Sequence, residues 1–224
     1  MSRSEVTRGA PEPQSAFLPH DRQLAATAAR VERTTCVLRT IATRIPPSII
    51  ELMRIREAQP GDASSLAAVH VTSWRAAYRG LLPQTYLAGL DTTQRSKGWQ
   101  HILARTDWPN AGTWLAEDDG AAVGFVNFCP TRDQDESELV RGEVTAIYVL
   151  PQYWGRGTGT RLMEAALRSL TDAGCSQATL WVLGSNARAR RYYDESSWRA
   201  DGASKQDDSH SIWLSEIRYV RDLI

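Results

Sequence analysis

The most informative stretch of this 224-residue chain is Val144-Thr145-Ala146-Ile147-Tyr148-Val149-Leu150-Pro151, followed after Gln152 by Tyr153-Trp154-Gly155-Arg156-Gly157-Thr158-Gly159-Thr160. Its first half is rich in β-branched and aromatic residues and ends at a proline, which cannot donate to a sheet ladder, so it predicts a central strand. Beyond the glycines, apolar residues recur along one helical face, and Gly174 stands at the expected C′ position. The unit is therefore strand, glycine loop and helix.

The glycine loop favours an anionic ligand. Three glycines at alternate positions let the backbone approach a ligand closely, and the N–H groups at a helix N-terminus attract a phosphate. A P-loop is excluded because no lysine follows the glycines, and a dinucleotide fingerprint is excluded because Thr160 stands where a glycine is required. A tight turn without a ligand is the alternative interpretation.

The segments on both sides of this unit predict further strands and helices. In chain order they are a strand at 52–58, a helix from its N-cap Asp62 to about Tyr78, a helix at 92–104, a hairpin around Glu117-Asp118-Asp119-Gly120, a strand at 179–183, a helix at 187–198 and a terminal strand at 212–219. Two antiparallel strands thus precede the central strand, and alternating strands and helices follow it. This order predicts a mixed sheet flanked by helices.

Several motifs in this pattern carry a family resemblance. They are Trp74-Arg75-Ala76-Ala77-Tyr78-Arg79-Gly80-Leu81-Leu82-Pro83, Val149-Leu150-Pro151, Gly155-Arg156-Gly157-Thr158-Gly159, Asn186, Arg191-Tyr192-Tyr193-Asp194-Glu195 and Trp198-Arg199-Ala200-Asp201-Gly202. Together they resemble the GCN5-related N-acetyltransferase (GNAT) superfamily over about residues 53–220. The first 50 residues lie outside the resemblance.

The resemblance implies an α/β (α+β) fold whose mixed, mostly antiparallel twisted sheet is splayed at the central strand, with acetyl-CoA as acetyl donor in the split. The backbone of Ile147, Tyr148 and Val149 would pair with the pantetheine arm, and Asn186 would lie near it. Trp154 replaces the Gln or Arg that family members usually carry. The pyrophosphate would be held by the loop residues, Gly155, Arg156, Gly157, Thr158, Gly159 and Thr160.

The resemblance also implies three catalytic groups. Glu143 matches a frequent family base, acting directly or through water, although a solvated acid at a strand end is equally consistent with its position. Tyr193 matches the tyrosine that protonates the departing thiolate, and packing aromatics at Tyr192 and Tyr193 are the alternative. The backbone N–H of Val149 would donate to the oxyanion, a contact that needs no particular side chain.

The acceptor site is less well defined by the sequence. Trp74 and Tyr78 lie one helical turn apart, where the resembling family lines its acceptor pocket, but the same spacing suits core aromatics that stack. An acidic loop, 133–138, could attract a cationic amine or simply be solvated. The sequence does not identify the acceptor.

Composition excludes some function classes. The 26 Lys and Arg residues balance 26 Asp and Glu residues, which argues against binding to nucleic acid or to an anionic membrane by bulk charge. No segment approaches the roughly 20 apolar residues of a membrane span, so we expect a cytoplasmic protein. Cys36, Cys129 and Cys175 form no Cys-x-x-Cys pair, and the histidines form no metal-binding pattern, so we expect free thiols and no metal.

Two classes of function follow from these observations. The first is an N-acetyltransferase that moves an acetyl group from acetyl-CoA to a primary amine of a small molecule or a peptide. The second is a non-catalytic acyl-CoA-binding or regulatory module on the same fold. The presence of both Glu143 and Tyr193 favours the enzyme. A homodimer is possible, and the sequence does not decide the oligomeric state.

The composition changes near residue 50, which divides the chain into an N-terminal extension, 1–50, and an acetyltransferase domain, 51–224. The extension holds seven Arg, no Lys and four acids, and its first 20 residues include three prolines without apolar periodicity. We expect the extension to be disordered or weakly structured. It is an organelle-targeting peptide, which its acids argue against, or a dispensable extension, or the result of a start codon assigned too early, since the ordered pattern opens at Met53.

We predict that a chain beginning at Met53 keeps the melting temperature of the full chain within a few degrees, because the ordered pattern starts there. Thermal unfolding followed by circular dichroism measures this. A large loss of cooperative unfolding would show that residues 1–50 pack on the domain and that the boundary is wrong.

Overall fold

A computed structural model of the chain describes residues 53–134, 139–207 and 212–223. The predicted extension, 1–50, and with it Cys36, lies outside the described residues, as does most of the predicted acidic loop. The described part contains seven strands and five α-helices, with short 3₁₀ turns at Pro60–Asp62 and Pro151–Tyr153.

The elements follow one another in an order close to the predicted one. They are β1 (Arg54–Glu57), α1 (Ala63–Ala77), α2 (Gln84–Ala88), α3 (Thr92–Leu103), β2 (Gly112–Asp118), β3 (Ala121–Pro130), β4 (Arg141–Val149), α4 (Thr158–Asp172), β5 (Gln177–Leu183), α5 (Ala187–Glu195), β6 (Arg199–Asp207) and β7 (Leu214–Asp222).

All seven strands form one sheet in the order β1-β2-β3-β4-β5-β7-β6. Every neighbouring pair is antiparallel except β4 and β5, which are parallel and are connected by α4. The predicted fold class, a mixed and mostly antiparallel sheet flanked by helices, is therefore confirmed. The one parallel pair is the place where the sheet opens.

Two apolar cores cover the two faces of this sheet. The first lies between the sheet and helices α4 and α5, and it includes Val126, Ile147, Leu162 and Tyr193. The second lies under α1 and α3 and is strongly aromatic. Its large side chains are Trp74, Tyr78, Trp99, Phe125 and Tyr148. We call these the α4 face and the α1 face.

Local sequence signals account for the ends of several elements. Asp119 and Gly120 both have positive φ, at 49° and 74°, as the tight hairpin turn between β2 and β3 requires. Helix α4 ends in a Schellman motif, in which Gly174 has φ 82° and the N–H of Cys175 donates to the Leu170 carbonyl at 2.9 Å. Both predictions from the glycines are thus confirmed.

The prediction for Asp62 needs a correction. Asp62 does precede α1, but its side chain makes no capping hydrogen bond to the helix. It accepts instead from both terminal nitrogens of Arg56, at 2.7 and 2.9 Å, and Arg56 also reaches Glu117 on β2 at 2.6 Å. The guanidinium lowers the pKa of Asp62, because it stabilises the charged carboxylate.

Two elements were not predicted from the sequence. Strand β6 is polar along its length and pairs only with β7, because it is the last strand of the sheet. An edge strand needs no apolar alternation on its outer face, so the pattern gave no signal. The five-residue helix α2 is too short for its periodicity to be recognised.

Candidate active site

The strands β4 and β5 separate soon after they begin. Their parallel pairing covers three registers and ends where Glu143 is opposite Thr179. From Val144 to Val149, β4 keeps its antiparallel partner β3 on one side, while β5 diverges on the other. The sheet therefore contains a split whose closed end is at Glu143 and whose mouth lies beyond Val149.

The register of β4 decides which backbone groups face the split. Leu150 donates its N–H to the Val123 carbonyl of β3 at 2.8 Å. In an antiparallel pair alternate residues face the same neighbour, so Tyr148 also directs its backbone to β3. Ile147 and Val149 alternate with Tyr148 and Leu150, so their backbone N–H and C=O groups point away from β3, toward the split. Of the three residues whose backbone is predicted to pair with pantetheine, Ile147 and Val149 thus direct their backbone groups to the split, and the pairing itself stays a prediction.

The carbonyl of Val149 is already hydrogen-bonded within the protein. The Ser73 hydroxyl of α1 donates to it at 3.1 Å, and the Trp154 indole N–H donates to it at 2.6 Å. The guanidinium of Arg188 in turn lies 4.4 Å from the centre of the Trp154 ring. Trp154, the departure from the family pattern, therefore braces the end of β4 from the mouth of the split.

The glycine loop lies at this mouth because it follows the C-terminal end of β4. Gly155 and Gly157 have φ of 71° and 78°, a left-handed conformation that other residues adopt only with strain. These two turns reverse the chain so that α4 begins at Thr158, and Gly159 and Thr160 complete its first residues. The loop therefore presents the N-terminal end of a 15-residue helix to the mouth.

The loop residues fit a phosphate group. Thr158 is buried, and its hydroxyl has no hydrogen-bond partner among the described residues. A buried hydroxyl at a helix N-terminus gains a partner when an anion binds there. Arg156 is exposed beside the loop, with its guanidinium 5.7 Å from the centre of the Tyr153 ring, where it can add positive charge.

Asn186 lies on the other side of the mouth, because it follows the C-terminal end of β5, which runs parallel to β4. It is the N-cap of α5, and its Oδ1 accepts from the Ala189 N–H at 3.1 Å. This buried cap fixes the start of α5 beside the split. A role in binding pantetheine stays a prediction.

Tyr193 lies on α5, in the core of the α4 face, and its role as a proton donor stays a prediction. Its ring is fully buried and contacts Trp198 and Tyr219, with ring centres 6.1 and 5.6 Å apart. Burial raises the pKa of Tyr78 on the opposite face well above its usual value, and charge on Glu216 or Tyr193 acts in the same direction.

Trp74 and Tyr78 are fully buried in the aromatic core of the α1 face. Their ring centres are 4.9 Å apart, and that of Trp74 is 6.3 Å from that of Tyr148 on β4. They therefore pack as core aromatics and also adjoin the strand that borders the split. That they bind the acceptor stays a prediction.

Glu143 lies at the closed end of the split with 2% of its side chain exposed. Both of its carboxylate oxygens bond to Arg132, at 3.0 Å to Nε and 2.5 Å to a terminal nitrogen. A bidentate guanidinium stabilises the carboxylate and occupies the lone pairs that a base would use. The predicted base is thus held in an ion pair, and its catalytic role stays a prediction.

A second group of charges continues from this pair along the α1 face. Arg218 on β7 bonds to Asp133 at 2.9 Å and to Asp201 on β6 at 2.7 Å. Trp181 on β5 donates to Asp133 as well, at 3.1 Å. Asp133, at the start of the loop after β3, is thereby bonded to β5 and β7, and through Arg218 to β6. These bonds hold the neighbouring Arg132 near Glu143.

The sequence analysis missed two charged residues on the α1 face. Glu216 on β7 is 1% exposed and lies 3.5 Å from the ammonium of Lys205. Arg95 on α3 lies over the Trp74 ring. A signal for Glu216 was present, because it and Arg218 occupy inward positions of an alternating strand, where apolar residues are the rule.

The thiols and the possible metal sites complete the inventory. Cys129 and Cys175 are free, and burial raises the pKa of Cys129 to about 12. Within 53–134, 139–207 and 212–223, no group of three His, Cys, Asp or Glu residues is arranged to hold a metal ion. None of the helices in those ranges combines the length and apolar character of a membrane span.

Comparisons with known proteins agree with this geometry. The family described as acetyltransferase (GNAT) matches residues 74–197. An uncharacterized N-acetyltransferase of Archaeoglobus fulgidus is 38% identical over 142 residues, which cover 63% of this chain and 89% of the relative. The PaiA N-acetyltransferase of Thermoplasma acidophilum, solved in complex with coenzyme A, superposes with a TM-score of 0.61 at 16% identity, covering 76% of this chain and 98% of its own. YncA, a putative acetyltransferase of Salmonella typhimurium solved with acetyl-CoA, gives 0.56 at 17% identity, covering 77% and 95%.

Proposed function

Because the chain belongs to the acetyltransferase (GNAT) family, we propose that it transfers an acetyl group from acetyl-CoA to a primary amine. The observation that supports this most directly is the split between β4 and β5, with the Val149 backbone facing it and the glycine loop at its mouth. A thioester at the end of a long pantetheine arm needs such a groove, in which backbone groups bind the arm and a helix N-terminus binds the pyrophosphate.

Bound acetyl-CoA would supply an activated thioester. Starting from the neutral amine, the reaction forms a C–N bond, breaks the C–S bond, and moves one proton from the amine to the thiolate; starting from the ammonium, it also releases one proton, through the base, to solvent. The Val149 N–H faces the split, where it can donate to the thioester oxygen as negative charge develops. A backbone donor is already oriented by the sheet and needs no rearrangement.

The acceptor must lose a proton before it reacts. An alkyl ammonium with a pKa near 10 is only about one part in a thousand neutral at pH 7. We propose Glu143 as the base, directly or through water, with Arg132 moving off one oxygen when the acceptor binds. We also propose Tyr193 as the donor to the departing thiolate, a role that its match to the family's tyrosine and its burial on α5, beside the split, support.

The first test concerns the glycine loop. Gly157→Ala should lower the affinity for CoA at least tenfold, because a side chain at φ 78° shifts the loop whose N–H groups would bind phosphate. Gly120→Ala is the matched control, since its φ of 74° carries similar strain in a hairpin away from the split. Arg156→Ala should weaken the free energy of CoA binding by only about 1–2 kcal/mol, the scale of a charged hydrogen bond.

Isothermal titration calorimetry with CoA and with pantetheine, which lacks the phosphates, measures these affinities. We expect the wild type to bind CoA more tightly than pantetheine and the Gly157→Ala variant to lose that difference. Equal affinities of the wild type for the two ligands would mean that the loop binds no phosphate.

The second test separates a base from an ion pair at Glu143. Glu143→Gln should lower kcat at neutral pH, and the loss should shrink at high pH, where the amine is neutral without help. Arg132→Met removes the same ion pair but leaves the carboxylate, so it should lower the stability of the fold, as an unpaired buried charge does, yet retain kcat in the folded protein. Thiol release across a panel of amines measures turnover. Equal losses in the two variants would assign Glu143 a structural role.

The third test concerns Tyr193. Tyr193→Phe should keep the ring contacts with Trp198 and Tyr219 yet slow turnover by about tenfold or more, the usual contribution of a general acid. Tyr219→Phe removes a neighbouring hydroxyl on the same core and serves as the control. Wild-type turnover by Tyr193→Phe on a confirmed acceptor would refute the assignment. CoA binding without turnover on any amine would favour a non-catalytic module.

A further inference from the structure

Arg95 is a partly buried cation in the aromatic core of the α1 face. It lies in the first turns of α3, with its guanidinium carbon 5.9 Å from the centre of the Trp74 ring. Trp74 in turn contacts Tyr86 and Tyr148, with 6.3 Å between ring centres in each pair. The guanidinium therefore lies among aromatic rings.

Among the described residues, the side chain of Arg95 has neither a carboxylate at ion-pair distance nor a hydrogen-bond acceptor. The other arginines on this side of the sheet differ from it. Arg75 donates to the carbonyls of Leu87, Ala88 and Leu90, at 2.9 to 3.4 Å. Arg132 and Arg218 are each paired with carboxylates.

The surroundings of Arg95 disfavour its charge. Removal from water lowers the pKa of Arg95, and the neighbouring Tyr148 and Tyr86 offset this only in part. A cation taken from water without an anionic partner costs free energy of folding, although stacking on an aromatic face returns some of it. An incoming anion would supply the missing partner.

The position of Arg95 relative to the split indicates where that anion would be. Arg95 lies over the Trp74 ring, whose centre is 6.3 Å from that of Tyr148. Tyr148 directly precedes Val149, whose backbone faces the split. The ring centre of Tyr78 is 4.9 Å from that of Trp74 in the same core, and Glu216 is a buried carboxylate on an inward position of β7. The α1 face therefore carries a positive group, Arg95, and a buried carboxylate, Glu216.

We propose that Arg95 binds a carboxylate of the acceptor, so that the acceptor is an amine that also carries a carboxylate, as free amino acids do. This inference rests on the proposed acetyl transfer. A guanidinium presents two parallel N–H donors that match a carboxylate, and its single charge balances one carboxylate. The ammonium end of such an acceptor is attracted toward the side of Glu216.

The test compares amino acids with their carboxamides. Each of the common amino acids and its amide is assayed with acetyl-CoA, and kcat/KM gives an acid-to-amide ratio. We expect this ratio to fall roughly 10- to 100-fold in Arg95→Met, the scale of a lost charged hydrogen bond, and to recover in part in Arg95→Lys. Because the ratio is compared between proteins, the different basicity of the two amines cancels.

Arg105→Met is the matched control, since Arg105 is an exposed arginine just beyond the end of α3. It should keep the wild-type ratio. An acid-to-amide ratio that is the same in Arg95→Met and the wild type overturns the proposal, while turnover of the amides still supports acetyl transfer.

A binding measurement keeps the inference testable without turnover. In the presence of CoA, an amino acid should raise the melting temperature of the wild-type protein more than its amide does, and Arg95→Met should lose that difference. This result with no thioester consumed would support the carboxylate site and refute the proposed reaction. If no amino acid raises the melting temperature more than its amide, the proposal is wrong.

Discussion

The rest of the site depends on the short parallel pairing of β4 and β5. Three registers join the strands, and beyond Glu143 they diverge. Strand β4 is buried along most of its length, so its backbone groups on the open side are shielded from bulk water inside the protein. The Val149 carbonyl is hydrogen-bonded by Ser73 and Trp154, which shows how the chain compensates for the missing strand at the end of the split.

Helices α4 and α5 flank the opening between β4 and β5. Both α4 and α5 begin at the C-terminal ends of the two parallel strands, so the glycine loop and Asn186 flank the same mouth. Packing holds α4 in place, because a Cβ on Gly142 of β4 would collide with the side chain of Leu170, so the helix lies directly against the strand. A ligand in the split therefore meets a rigid frame.

The α1 face combines an aromatic core with buried charge, and most of that charge is paired. A buried charge without a partner is costly, and the buried charges here are paired: Arg132 with Glu143, and Arg218 with Asp133 and Asp201. Among the described residues, Arg95 is the exception, because no carboxylate lies at ion-pair distance from it. Departures from local consistency concentrate at functional sites, since stability is given up there for binding.

The sequence by itself determined the strand, glycine loop and helix at the centre, because β-branched runs, left-handed glycines and helical periodicity are local properties. Through the family resemblance it also predicted roles for Glu143, Tyr193 and the loop residues, and these roles stay predictions. It did not reveal β6, whose polar edge lacks alternation, nor the capture of Glu143 by Arg132 or the isolation of Arg95. Only the tertiary structure decided those features, because the partners of a charge and the width of a split depend on which distant segments meet.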